Sequence, residues 1–259
     1  MHKSRVLQKL RNGKVTLMTS NTSYPSTGIV EMIGLLDFDA VWLDMEHQNY
    51  SYEQIFNLAL ACRATGIDGM VRIRKGAYWS YSRAFEAGAA GIMVPHCLNG
   101  EEARDIVRFS RFAPMGMRGM DGIEPAADYG LAPMAEYMAH ANRETFIAVQ
   151  IEDAEAVRNV DDIAAVEGID ILFVGPADLS QSLGAPLQFD HQLMRDAINQ
   201  VANAAAKHGK WWGIPVSDPE QGAAYYEMGA RFLASGSAIT LLRDGFKKLR
   251  NDFEDILSR

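Results

Sequence analysis

The sequence predicts an α/β fold, a single (β/α)8 barrel spanning residues 1–259, and three observations predict it. The length of 259 residues suits such a barrel, which takes roughly 250 residues as one unit. Eight short apolar runs of β type alternate with longer amphipathic stretches from end to end. That alternation calls for parallel strands joined by right-handed crossovers. Glycines follow the helical stretches at Gly66, Gly88, Gly168, Gly209 and Gly229, where a residue just past the last turn adopts a left-handed conformation.

In order along the chain, Val15–Ser20 is the first predicted strand. Ala40–Asp44 is the second and empties into Met45-Glu46-His47. A helix over Tyr52–Ala64, closed by Gly66, leads to the third strand, Gly69–Ile73. The helix Ala77–Ala87 runs through Glu86-Ala87-Gly88-Ala89 straight into the fourth strand, Gly91–Pro95. After a helix at Glu101–Phe112 the rhythm breaks. Ala113 to Thr145 holds one helix near Pro133–His140 and reads as an insertion with a functional or interfacial purpose, because long loops in compact domains need one. The fifth strand, Phe146–Ile151, restores the alternation. The helix Ala154–Val166, the sixth strand Asp170–Gly175, the helix His191–His208, the seventh strand Trp211–Val216, the helix Pro219–Met228 and the eighth strand Arg231–Ser235 follow. Ala238–Arg259 is amphipathic and reads as the last helix.

Composition narrows the function classes. Hydrophobic residues make up 48% and charged residues 22%, with a net charge of −8, as in an ordinary soluble enzyme. No basic block marks a nucleic-acid surface; Lys247-Lys248-Leu249-Arg250 reads as a solvated helix face. No run approaches the roughly 18 apolar residues of a membrane span. The segment Met1-His2-Lys3-Ser4-Arg5 lacks the apolar stretch of a signal peptide, so a cytoplasmic protein is expected. Cys62 and Cys97 have no CxxC partner, which reads as two buried thiols in a reducing compartment. Neither a GxGxxG nor a Walker pattern is present, so no organic cofactor is expected.

Strand exits carry the candidate chemistry, because barrel active sites are built there. Val149-Gln150-Ile151-Glu152 and Phe173-Val174-Gly175-Pro176-Ala177-Asp178 are apolar runs that each stop at an acid. Glu152 and Asp178, from neighbouring exits and with Gln150 two positions before Glu152, offer an oxygen-only site for magnesium or manganese. Zinc would ask for His or Cys. The amides around Gly175–Asp178 lie at a helix start and can receive a carboxylate. A bound dication would act as a Lewis acid on an α-keto acid. At the second exit, His47 beside Asp44 and Glu46 is a candidate general base. Arg72 and Arg74 share one face of the third strand; Arg72 can hold a carboxylate or a developing oxyanion. No lysine sits inside a strand to form a Schiff base, Lys75 being the nearest. Gly236 in Ala234-Ser235-Gly236-Ser237 could help hold a phosphate or simply form a tight turn.

Asp44-Met45-Glu46-His47, Val71-Arg72, Val94-Pro95, Val149-Gln150-Ile151-Glu152 and Gly175-Pro176-Ala177-Asp178-Leu179-Ser180 resemble the HpcH/HpaI aldolase family over nearly the whole chain. That family includes 4-hydroxy-2-oxoheptanedioate and 2-dehydro-3-deoxyglucarate aldolases, with macrophomate synthase a relative. The resemblance implies a class II pyruvate aldolase on a barrel of the phosphoenolpyruvate/pyruvate type, dependent on magnesium, manganese or cobalt. It implies Glu152 and Asp178 as metal ligands, His47 as base and Arg72 as stabiliser of the enolate. Gln150 and the backbone around Gly175, Pro176, Ala177 and Asp178 would contact substrate. It places Glu86 where family members carry an Asp beside the histidine. It also implies a homohexamer, a trimer of dimers, with the last helix exchanged between neighbours.

The expected activity is cleavage of a 4-hydroxy-2-oxo acid to pyruvate and an aldehyde. An oxaloacetate decarboxylase or a macrophomate-synthase-like bond-forming enzyme would use the same enolate. A barrel that binds small acids without turnover is the remaining alternative.

Overall fold

The computed structural model describes residues 1–21 and 23–259. Eight parallel strands close into a barrel in sequence order: β1 (Thr16–Ser20), β2 (Ala40–Asp44), β3 (Asp68–Arg72), β4 (Gly91–Val94), β5 (Phe146–Ile151), β6 (Ile171–Val174), β7 (Trp211–Pro215) and β8 (Phe232–Ser237). Each lies within two residues of the run that predicts it. The helices are α1 (Arg5–Arg11), α2 (Thr27–Leu35), α3 (Tyr52–Thr65), α4 (Trp79–Glu86), α5 (Gly100–Ser110), α6 (Met134–Glu144), α7 (Ala154–Arg158), α8 (Val160–Ala164), α9 (Pro176–Ser182), α10 (Gln192–His208), α11 (Pro219–Glu227), α12 (Ala238–Asp252) and α13 (Glu254–Leu257). The five glycines that follow the predicted helices all have positive φ. Among the described residues no helix is long and apolar enough to cross a membrane.

Strand parity decides which side chains reach the barrel interior. Met18, Ala40, Met70, Met93, Phe146, Ala148, Ile171, Phe173, Phe232 and Ala234 form one buried cluster. Their alternate neighbours Val41, Leu43, Val71, Ile92, Ile147, Val149, Leu172 and Leu233 belong to another, packed against the helices. Since side chains alternate along a strand, the first set fills the barrel and the second faces the helix ring. Edge-to-face contacts run through the interior from Phe146 to Phe232 (6.0 Å), Phe173 (5.9 Å) and Trp42 (5.7 Å). Continuing the inward parity to the C-terminal ends of the strands selects Asp44, Arg72, Gln150, Glu152 and Gly175.

The other end of the barrel is closed. Val6, Leu7 and Leu10 of α1 join the interior cluster, and Ser4 caps the helix by accepting from Leu7 N. Neither α1 nor α2 is among the predicted helices. Two predicted helices are each broken in two. Ala154–Val166 divides at Asn159, whose φ of −102° and ψ of 8° end the first helix and whose side chain donates to Leu98 O at 2.9 Å. The closing helix breaks at Phe253.

The insertion between β4 and β5 is folded back onto the barrel by two buried arginines. Arg111 donates to Thr145 O (3.0 Å) and to Asp170 (2.6 Å). Arg118 donates to the Tyr137 hydroxyl at 2.9 Å and lies over the Phe112 and Phe85 rings at 4.5 and 5.3 Å. The helix inside the insertion, α6, is longer than predicted and follows a kinked turn over Pro125–Gly130, where Asp128 and Tyr129 have positive φ.

Candidate active site

The register of β2 against β3 sets Asp44 directly beside Arg72. The guanidinium grips Asp44 with two bonds, Nε to Oδ1 at 2.9 Å and Nη2 to Oδ2 at 2.6 Å. Its Nη1 lies 3.0 Å from Glu46 Oε2, and its carbon sits 4.8 Å over the Trp42 ring. A cation this deeply buried is tolerable because both acids answer it. Two of its five N–H groups donate, both to Asp44, leaving three beside Glu46 and a ligand. Arg74 does something different. It donates to Met45 O at 2.7 Å and braces the loop that carries His47. Asp44 Oδ1 accepts from the backbone of Glu46 (3.0 Å) and His47 (3.4 Å), which fixes the same loop from below.

The His47 side chain is 62% exposed, with Nε2 3.7 Å from Glu46 Oε2. Glu86 lies at the end of α4, 3.8 Å from Arg83, in an open cleft with Tyr52, Trp79 and Asp121. Among the described residues no ion pair joins Glu86 to His47; the acid beside the histidine is Glu46.

Glu152, just past β5, is 1% exposed. It accepts from Gln150 Nε2 at 2.8 Å and from the His96 amide at 2.9 Å. Burial pushes its carboxyl up to about 7; the His96 amide and ring oppose the rise, and the charges of Glu46 and Asp178 add to it. Gly175 permits this packing, since a Cβ there would lie 2.3 Å from Glu152 Oε2. Asp178 stands half-buried in the first turn of α9, with Pro176 at the helix start. There the Ala177 and Asp178 amides have no intrahelical acceptor.

His96 is a site residue that residue type alone does not reveal. It follows Val94-Pro95 at the exit of β4 and holds a positive φ of 52°. Its Nδ1 is 3.0 Å from Asp153 and its Nε2 is 3.8 Å from Glu46. Burial would lower its pKa, but Asp153, Glu152 and Glu46 outweigh that and raise it. The signal that could have found it is its place, a histidine at a strand exit like His47. Lys75 is tied to His96 O (2.6 Å) and Glu102 (2.8 Å). Gly236 has a positive φ of 69° and precedes Ser237, which caps α12.

A hard dication fits this set of donors. Glu152 is a buried acid whose neighbouring charges include two further acids, and the Gln150 Oε1 beside it is buried without a partner. Both features express a shortage of positive charge among oxygen donors. No group of three or more His, Cys, Asp or Glu converges for a metal among the described residues, so a cation here would take few protein ligands and keep water or substrate oxygens, as magnesium does.

A family model described as "HpcH/HpaI aldolase/citrate lyase" matches residues 23–245. The chain is 34% identical over 224 residues to a 5-keto-4-deoxy-D-glucarate aldolase of Shigella boydii serotype 18, covering 86% of each chain. Among solved structures, it superposes on an HpcH/HpaI aldolase from Desulfitobacterium hafniense with a TM-score of 0.90 and 29% identity, covering 96% of both chains. It superposes on macrophomate synthase with a TM-score of 0.83 and 26% identity, covering 97% of this chain and 90% of that one.

Proposed function

This chain belongs to the HpcH/HpaI aldolase/citrate lyase family, and from that premise we propose that it is an aldehyde-lyase that cleaves a 4-hydroxy-2-oxo acid to pyruvate and an aldehyde. Glu152 and Asp178 would hold a divalent cation, magnesium, manganese or cobalt. Bound there, the cation supplies Lewis acidity to the 2-oxo group. The observation that carries this reading is the buried Glu152, pushed up to about 7 by desolvation and by neighbouring acids, on a chain whose relatives are aldolases.

The chain's own groups account for the remaining steps. His47 takes the proton from the C4 hydroxyl, the C3–C4 bond breaks, and the electron pair is left on the pyruvate enolate. The N–H groups of Arg72 that Asp44 does not take would answer the charge that develops on the enolate oxygen. The Ala177 and Asp178 amides and Gln150 hold the substrate carboxylate. A proton returned to C3 completes pyruvate. The relatives named for 5-keto-4-deoxy-D-glucarate make a hydroxylated oxo-dicarboxylic acid the first substrate to offer.

The likeness to macrophomate synthase favours a second reading on the same enolate, decarboxylation of oxaloacetate or bond formation in the synthetic direction. The partner surface belongs to the same proposal. Leu241, Phe246, Leu249, Ile256 and Leu257 of α12 and α13 are all more than half exposed, an apolar face that a homo-oligomer, a hexamer by family resemblance, would cover. Two buried free thiols accord with a cytoplasmic setting.

The test is hydrogen exchange at C3 of pyruvate in heavy water. Chelator-treated protein should lose exchange and regain it with magnesium, manganese or cobalt. Equal exchange in both samples overturns the role given to the cation.

A further inference from the structure

We propose that His96, held by Asp153, binds a hydroxyl on the aldehyde half of the substrate and so decides which aldehydes the site favours. The inference rests on the aldolase reading above and deepens it. That reading gives partners to the pyruvate half, to the enolate oxygen and to the C4 hydroxyl, and none to the atoms beyond C4.

The imidazole is held on every side but one. Its backbone is tied at both ends: the amide donates to Glu152 Oε1 at 2.9 Å, and the carbonyl accepts from Lys75 Nζ at 2.6 Å. These ties keep a left-handed φ of 52°, which a non-glycine residue retains only where its surroundings over-determine it. In the side chain, Nδ1 lies 3.0 Å from Asp153 Oδ2. Asp153 stands at the N-cap of α7, where an aspartate ordinarily accepts from its own helix. It makes no cap bond. The Ala154 amide donates to Ser182 Oγ at 2.9 Å, and the Asp153 carboxylate turns to the imidazole. A helix cap is forgone and a ring is held.

That orientation leaves one nitrogen for a ligand. With the Nδ1 proton on a carboxylate, Nε2 is the free nitrogen, and among the described residues it makes no hydrogen bond. The ring is 44% exposed. It stands between the two halves of the site. Nδ1 is 3.7 Å from Glu152 Oε1, on the cation side, and Nε2 is 3.8 Å from Glu46 Oε1, in the loop that carries His47. Both separations are too long for a bond, so Nε2 is not spent on the protein. His47 takes the proton of the C4 hydroxyl, which brings the substituents of C4 to the side where Nε2 stands. A hydroxyl both donates and accepts, so it pairs with Nε2 in either protonation state of the ring. A methyl group in its place leaves that nitrogen without a partner.

The experiment runs the reaction toward addition, with pyruvate, magnesium and either glycolaldehyde or acetaldehyde, which differ by one hydroxyl. The readout is the ratio of kcat/KM for the two aldehydes in the wild-type protein, His96→Phe, His96→Gln and Asp153→Ala. The wild-type protein should favour glycolaldehyde. His96→Phe should cut the ratio about tenfold, the size of one hydrogen bond to a substrate hydroxyl. His96→Gln, which keeps a donor and an acceptor, should retain part of the preference. Asp153→Ala should lower the ratio as well, with its unfolding midpoint unmoved because no cap bond is lost, and it decides the matter if His96→Phe does not fold. An unchanged ratio in either variant overturns the proposal. So does a loss shared equally by the two aldehydes, which would make His96 a support for Glu152 and nothing more. In both cases the wild-type protein still adds pyruvate to aldehydes, so the functional reading survives. A wild-type protein that adds pyruvate to neither aldehyde and exchanges no pyruvate hydrogen takes down both.

Discussion

At the N-terminal end of the barrel, Asp68 is buried and amply supplied: His2 Nε2 (2.7 Å), Ser4 Oγ (2.5 Å), Arg5 N (3.2 Å) and Val6 N (2.9 Å) all meet its carboxylate. At the C-terminal end, Glu152 is as deeply buried but accepts hydrogen bonds, among the described residues, from the Gln150 side-chain amide and the His96 backbone amide alone, with the His96 ring 3.7 Å away, acids among its neighbours and a carboxyl pushed up to about 7. Asp68 begins β3 and Glu152 follows β5, at opposite ends of the barrel. Asp68 stitches α1 across the barrel floor. Glu152 has fewer donors than Asp68, which is what a ligand-binding acid needs and a purely structural one avoids.

The widest separation of these roles should come from truncating each acid. Glu152→Ala should cost about 10³-fold or more in metal-dependent turnover, since a Lewis-acid contribution of several kcal/mol is lost. Its unfolding midpoint should stay close to wild type, because a poorly satisfied buried acid is removed. Asp68→Ala should do the reverse. It orphans the Ser4 hydroxyl and the Val6 amide at roughly 1–3 kcal/mol each, while kcat per folded molecule is kept. Denaturant unfolding and steady-state kinetics on both variants check the pair. A stable but inactive Asp68→Ala would erase the contrast.

The middle of β3 sharpens it, because the strand carries Asp68 at one end and Arg72 at the other. Arg72→Ala should lower kcat about 10²–10³-fold, the typical loss for a donor to a developing oxyanion. Oxaloacetate decarboxylation, which passes through the same enolate but needs no base, should fall as well, whereas His47→Ala should spare it. Near-normal decarboxylation in Arg72→Ala would limit that residue to holding Asp44.

Much of this was legible in the sequence, for a physical reason. Parallel strands buried on both faces show their exits as sharp changes from apolar to charged, so Arg72, Gln150 and Glu152 could be placed by position and parity, and Asp178 by its place past the sixth exit. Pairings between strands were less visible. Asp44 stands beside Arg72 only through the register of β2 on β3, which no local pattern encodes. His96 acts partly through its backbone amide, and side-chain identity says nothing about that. The breaks at Asn159 and Phe253 lie inside stretches of helical periodicity, where a local contact such as Asn159 to Leu98 O overrides propensity.

The smallest expected effect is also the most direct comparison of a buried acid with its ligand. The Glu152 carboxyl, pushed up to about 7, lies above the ordinary value of about 4.3 for an unfolded chain. The metal-free folded state therefore holds this proton when the unfolded state has lost it. The group's contribution to stability is full below about pH 4.3 and is lost as pH rises through about 7. A cation must displace the same proton to bind. Added magnesium should therefore raise the unfolding midpoint little at pH 5 and more at pH 8. At a hundredfold excess over Kd the gain is about 2.7 kcal/mol, or roughly 5–10 °C for a domain of this size. In Glu152→Ala the difference between the two pH values should vanish, whereas Asp68→Ala should keep it from a lower starting midpoint. A midpoint shift of equal size at pH 5 and pH 8 in the wild-type protein would mean that proton and cation do not compete at Glu152.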